Sequence, residues 1–237
     1  MMVFENVTFG YEPERPVVRK ASFTLSPGLT LLLGPNGCGK STLLKLAAGV
    51  ERPDAGRVLV DGAELWKDEA RARRGLAYLP EFPDITPYAS LRDVVRLVCR
   101  LRGEPRSAGD KALETFGLRD EAGRSIRELS SGQRKRALFA AAVVGRPAHI
   151  LLDEPLDALD RQIADDVLAW IRQRLADGAA LAVVSHAIEP FADLATRALT
   201  VSEGLVEQRD TLPGSPGDRF RLLDSLARGV ALERRRT

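Results

Sequence analysis

Hydrophobic and polar positions follow two rhythms along this chain, and the change from one to the other outlines its elements. The opening "MVFENVTFGY" and then "ASFTLSPGLTLLLG" carry strand-like alternation and short apolar runs, separated by the polar "EPERP" turn. Two antiparallel strands are expected there, packed beside the strand "LTLLL". A short helix, "STLLKLAAG", ends at Gly49. Next, "ERPDAGRVLVDGAEL" adds a strand that closes in the Asp61-Gly62 turn, and "GLAYLP" adds another that stops at Pro80. From Ser90 to Phe116 the rhythm turns helical, with Leu91, Val94, Val95 and Val98 before the breaker "GEPRSAG" and Leu113 and Phe116 after it. A buried strand returns in "HILLDEP", a helix fills "RQIADDVLAWIRQRLADG", and "AALAVVSH" is apolar again. Such alternation puts helices on the faces of a parallel sheet. The expected fold is α/β: a mainly parallel sheet, a small antiparallel β layer and a helical insert.

These shifts also suggest boundaries. A catalytic core with its β layer is expected over residues 1–80 and 148–210, the helical insert over 81–147, and a short tail over 211–237. In the tail, Phe220, Leu223, Leu226 and Val230 mark one amphipathic helix, followed by solvated arginines.

The junction between "LTLLL" and its helix carries the sharpest chemistry. Gly34, Gly39, Lys40 and Ser41 satisfy GxxxxGK[ST], with Pro35, Asn36, Gly37 and Cys38 filling the loop. Glycine lets backbone N–H groups approach a polyphosphate without a Cβ in the way, and the helix N-terminus adds a favourable dipole. Lys40 is expected to reach the β and γ phosphates, Ser41 to place its hydroxyl on Mg²⁺, and Thr42 to donate to the α phosphate. The strand "HILLD" then ends in Asp153 and Glu154, where open α/β sheets bind ligands. Asp153 suits the metal. Glu154 suits the polarisation of an attacking water.

Composition narrows the setting. With 44% hydrophobic residues, 237 residues can bury a substantial core, and no apolar run approaches the ~20 residues that span a bilayer. The N-terminus lacks a basic start followed by an apolar core, so a cytosolic chain is expected. Thirty-five basic and 33 acidic residues give a net charge of +2, which makes no electrostatic case for nucleic acid. Cys38 and Cys99 have no CxxC spacing and read as reduced thiols.

A third stretch, "LSSGQRKRALFAAAVVGRP", gives the resemblance. Leu129, Ser130, Ser131, Gly132 and Gln133 resemble the LSGGQ signature of ATP-binding cassette (ABC) ATPases, with serine for the first glycine. The strand carboxylates, then "LDALD" with Asp160 resembling the D-loop, then "VVSH" with His186 resembling the switch-histidine segment, follow in the family order. The resemblance covers nearly the whole chain and implies a single ABC ATPase domain over 1–237. It implies that Tyr11 stacks on adenine, that His186 bonds the γ phosphate, and that Ser130, Ser131, Gly132 and Gln133 grip the ATP of a second cassette. That second cassette is another copy or a homologue, meeting this one head to tail. Two departures add negative charge: Glu81 stands where the family usually has glutamine, and Asp157 where the D-loop usually has serine. Glu81 can still accept hydrogen bonds and ligate Mg²⁺, but it cannot donate as an amide does.

The resemblance further implies a separate transmembrane permease, which would hold the chain on the inner face of the membrane. The segment "EFPDITPYASLRDVVRLVCRLRGEP" is most similar to single-cassette exporters, which favours export. An importer ATPase and a soluble ATPase of iron–sulfur assembly remain as alternatives. DNA-repair and translation ATPases would bring a long coiled coil or two cassettes.

Overall fold

A computed structural model describes residues 1–81 and 87–229. Val230 and part of the exporter-like segment lie outside the described residues. The strands are β1 (Met2–Phe9), β2 (Val18–Leu25), β3 (Gly28–Leu33), β4 (Ala55–Val60), β5 (Ala63–Glu64), β6 (Leu76–Leu79), β7 (His149–Asp153), β8 (Ala180–Val184), β9 (Ala195–Ser202) and β10 (Leu205–Arg209). The helices are α1 (Lys40–Ala48), α2 (Glu69–Arg73), α3 (Leu91–Arg102), α4 (Arg106–Thr115), α5 (Ser131–Ala142), α6 (Arg161–Ala176), α7 (Glu189–Ala192) and α8 (Pro216–Ala227).

Two sheets form. One has four strands in the order β2-β1-β4-β5, antiparallel throughout. The other has six, ordered β10-β9-β3-β8-β7-β6, and is parallel except for β10. Its central strands read as apolar runs because both faces are covered. On β3, Leu29, Leu31 and Leu33 join the core beneath α3, α4, α5 and α6, while Leu32 joins a second core with α1 and the antiparallel sheet. Ile150 and Leu152 split from Leu151 on β7 in the same way, as do Leu181 and Val183 from Ala182 and Val184 on β8. The helical insert therefore shares its core with the parallel sheet, through residues such as Val95, Phe116 and Phe139.

The structure corrects the expected start of the chain. The first two strands pair with each other, but β3 belongs to the other sheet, because Ser26 and Pro27 end β2 and turn the chain into Gly28, where β3 starts. Proline cannot donate to a ladder, and Gly28 takes a φ of 112°. Among the elements that went unpredicted are α2, α7, β5, β9 and β10. The most consequential is β9, which pairs with β3 along Leu29–Leu33 and completes the cover of the phosphate-loop strand.

Candidate functional site

Parallel pairing aligns the carboxyl ends of three strands. Leu32 pairs with Val184, and Val184 with Asp153, so the loop after β3, the acidic pair after β7 and His186 beyond β8 emerge side by side. The loop needs its glycines for two separate reasons. Gly34 has φ 143°, and a Cβ there would stand 2.2 Å from the Val201 carbonyl oxygen; Gly39 has φ 110°, and a Cβ there would meet Val17 Cγ1 at 2.9 Å. α1 starts from Gly39 with no side-chain cap and no acidic residue in its first turn. Its free N–H groups and positive end thus face the loop uncompensated, an arrangement suited to an anion. Lys40 folds back into the loop, its Nζ donating to the carbonyls of Gly34 at 2.8 Å and Pro35 at 2.9 Å.

Asp153 is 2% exposed and its Oδ1 has no hydrogen-bond partner among the described residues. Burial pushes its pKa up, and the charge of Glu81 adds to this against the Ser41 hydroxyl bond and the charges of Lys135 and Lys45. Among the described residues, no three or more His, Cys, Asp or Glu side chains form a metal cage. An orphaned carboxylate oxygen beside a serine hydroxyl nevertheless fits Mg²⁺, a hard ion that takes few protein oxygens and keeps its waters and phosphate oxygens. Ser41 and Asp153 are the residues that would hold it.

Glu154 is also buried and sits at φ 46°, a left-handed conformation that costs free energy in a residue with a side chain. Its backbone N–H donates to Val184 O at 2.9 Å, and its Oε2 accepts from the His186 backbone N–H at 3.1 Å. The other oxygen, Oε1, lies 3.6 Å from His186 Nε2 and is otherwise unpartnered among the described residues. Burial raises the Glu154 pKa; the His186 N–H and ring lower it, while Asp153 and Glu81 raise it further.

One cavity of about 430 Å³ gathers most of the residues named from sequence. Tyr11, Asn36, Gly37, Gly39, Lys40, Ser41, Thr42, Glu81, Asp153, Glu154 and His186 line it, with Val17 and Val184. Tyr11 is exposed, edge-on to Phe9 at 5.0 Å, with Lys45 Nζ 5.9 Å from its ring centre. Cys38 turns away: its thiol packs toward Gly34 and the core around α1. Cys99 is a free thiol buried at 1% exposure in the core beneath the helices.

The signature residues stand apart from this cavity. Ser130 caps α5, its Oγ accepting from the Gln133 N–H at 3.2 Å while Gln133 Oε1 accepts from the Ser130 N–H at 2.9 Å. Ser131 lines a second cavity of about 460 Å³, which Glu81 and Asp157 also reach. Asp160 caps α6 by accepting from the Ile163 N–H at 3.0 Å and lines neither cavity. Sequence reasoning missed three contributors. Val17 follows the irregular turn after β1. Lys45 lies one helical turn beyond Ser41, a spacing that could have flagged it. Tyr78, on β6, keeps its hydroxyl buried without a partner among the described residues; burial, then Asp153, raises its pKa.

Comparison with known proteins agrees with this geometry. The family model described as "ABC transporter" matches residues 18–157, and the chain belongs to that family, whose cassettes bind and hydrolyse ATP. It is 36% identical over 186 residues to the sulfate/thiosulfate import ATP-binding protein CysA of Mycolicibacterium paratuberculosis, covering 76% of this chain and 51% of that one. It is 36% identical over 198 residues to the taurine import ATP-binding protein TauB of Pseudomonas aeruginosa, covering 80% and 73%. The chain thus spans about half the length of the first of these relatives. The structure of the ATP-binding subunit of an ABC transporter superposes with a TM-score of 0.84 at 22% identity, covering 94% of this chain and 99% of that one. A dimeric bacterial ABC transporter cassette gives 0.80 at 24%, covering 91% and 100%. The expected preference for export is not supported, since these curated relatives are import proteins.

Proposed function

We propose that this chain is the ATP-hydrolysing subunit of an ABC importer. The observation that carries the chemistry is the meeting of Lys40, Asp153 and Glu154 in one cavity at the carboxyl ends of β3 and β7. The names of the relatives support import over export, and no observation favours iron–sulfur assembly.

In this reading the triphosphate lies on the loop N–H groups and Lys40, and Tyr11 offers its exposed ring to adenine. Mg²⁺, held by Ser41 and Asp153 with Glu81 nearby, would neutralise phosphate charge. Glu154 orients the attacking water and accepts its proton, and its strained backbone, anchored to Val184 and His186, holds the carboxylate in place. His186, exposed at the rim, reaches the γ phosphate. Ser130, Ser131 and Gly132 act on the ATP of a partner cassette. In this reading the transported solute passes through a separate permease, with the cassette on its cytoplasmic side; among the described residues no helix is long and apolar enough to cross a membrane.

Two measurements test this. Glu154→Gln should bind Mg-ATP normally yet hydrolyse it roughly a hundredfold to ten-thousandfold more slowly, the range for loss of a general base; wild-type turnover in this variant would remove Glu154 from the mechanism. Reconstituted with its permease in vesicles, the wild type should drive ATP-dependent movement from the face opposite the cassette toward it. Movement in the other direction would restore the export reading.

A further inference from the structure

Lys135 has no part in the mechanism above, yet it is the one buried lysine among the described residues, at 6% exposure. Lysine is almost never buried so fully unless its charge is compensated. It lies on α5 one helical turn beyond Ser131, and both residues line the second cavity together with Glu81, Asp157 and Ala158. Burial lowers the Lys135 pKa, and the charges of Asp157, Asp153, Glu81 and Glu154, in that order, oppose the loss. The other cations on this turn are bonded elsewhere, Arg134 Nε donating to Leu129 O at 3.1 Å and Arg136 Nη1 to Phe116 O at 3.3 Å.

The backbone on the two sides of this cavity also meets. A Cβ at Gly132 would stand 3.6 Å from the Ala158 carbonyl oxygen, ordinary contact distance, and Ala158 holds a left-handed φ of 58°. Two of the carboxylates that answer Lys135, Glu81 and Asp157, are the two departures from the family pattern, and both open onto its cavity.

We propose that Lys135 is a positioning residue that links the signature helix to the chain's own D-loop across the cavity they share, facing Asp157 through that space rather than by a direct ion pair. Ser131 and Gly132 are then presented to a second cassette together with Asp157 and Ala158, as one edge. The inference rests on the reading of the chain as a cassette that closes on ATP, but the proposed link needs no nucleotide and can be tested without it.

The test is a double-mutant cycle of Lys135→Gln and Asp157→Ser, read by thermal melting of the nucleotide-free protein and by steady-state ATP hydrolysis. Lys135→Met, which keeps the apolar stem, replaces the amide variant if that one does not fold. Neutralising Lys135 should shift Tm by a different amount in the two backgrounds, with a coupling of about 2 °C or more. Either single change should lower kcat about tenfold at unchanged KM for ATP, and the double variant should lose no further. Lys135→Arg should keep most of the activity. Additive Tm shifts would overturn the link whatever the hydrolysis data show. Absence of hydrolysis in the wild type would overturn the ATPase reading and leave the melting cycle to judge the link.

Discussion

Two helix N-termini among the described residues, those of α1 and α5, carry the motif residues and are built differently. α1 begins at a glycine with no side-chain cap, while α5 begins at Ser130 in a reciprocal box with Gln133; neither carries an acid in its first turn. The α1 end leaves its N–H groups unanswered and opens onto the cavity that holds Asp153 and Glu154. The α5 end answers two of its own donors and opens onto a cavity that neither of those carboxylates lines. An uncapped helix end leaves its N–H groups to water or to a ligand, whereas a capped one has answered some of them and adds its dipole and remaining N–H groups. In the proposed reading the first end is the primary binding site, and the second reinforces a nucleotide already held elsewhere.

The largest effect should come from attacking the first end. Lys40→Ala removes the one cation held inside the loop, and ATP binding, measured by titration of the isolated chain, should fall by at least about tenfold, the weight of a single charge-assisted contact. Ser130→Ala strikes the second end and should leave that titration unchanged. It should instead cost about 1 kcal/mol in denaturant melts, as other lost N-caps do, and slow hydrolysis only where two cassettes can meet. Equal losses of ATP affinity in the two variants would erase the distinction between the ends.

Acidity separates the two regions further. Asp153 and Glu154, at the first, both have pKa values raised chiefly by burial. Glu154 must be ionised to take a proton, so the acid limb of the hydrolysis rate should lie above the ordinary carboxylate range of about 4. For stability the sign runs the other way. Between the unfolded and the raised folded pKa the folded chain binds more protons. The contribution of each group is therefore fully present below its unfolded pKa and lost as pH rises through its folded pKa. Glu154→Gln should melt at a higher temperature than wild type near neutral pH, with the gain vanishing in acid. The cost of Ser130→Ala, a neutral cap, should be the same at both. A stabilisation of Glu154→Gln that ignores pH would mean that burial does not raise this carboxyl.

These two regions were not equally legible in the sequence. The phosphate loop, the acidic pair and His186 could be read because each ends an apolar run of five or so residues, and a buried parallel strand has few other ways to look. The placement of "LSSGQ" before a helix was legible too, but its capping box was not singled out, though Ser130 and Gln133 have the spacing of one. β9 escaped because "ATRALTVS" mixes polar and apolar residues; only Ala195, Ala198, Leu199 and Val201 are buried in the two cores, and its partner β3 is far away in sequence. The burial of Lys135 had no sequence signal at all, since a lysine between two arginines reads as solvated surface.

The smallest expected effect belongs to Glu81, the residue that borders both cavities. Its charge adds to the burial that raises the pKa values of Asp153 and Glu154, so it acts on the two carboxylates across space. Glu81→Gln removes a negative charge from the cavity of Asp153 and Glu154 and supplies an amide that can donate. The acid limb of hydrolysis should then move slightly downward, and the Mg²⁺ concentration for half-maximal rate should change by a few-fold, while ATP affinity, set by the phosphate loop, stays as it was. Hydrolysis measured across pH and across Mg²⁺ and Mn²⁺ concentrations reads both shifts. If the curves of the variant and the wild type superpose in every condition, Glu81 does not reach the reacting groups. The electrostatic link between the two cavities would then rest on Lys135 alone.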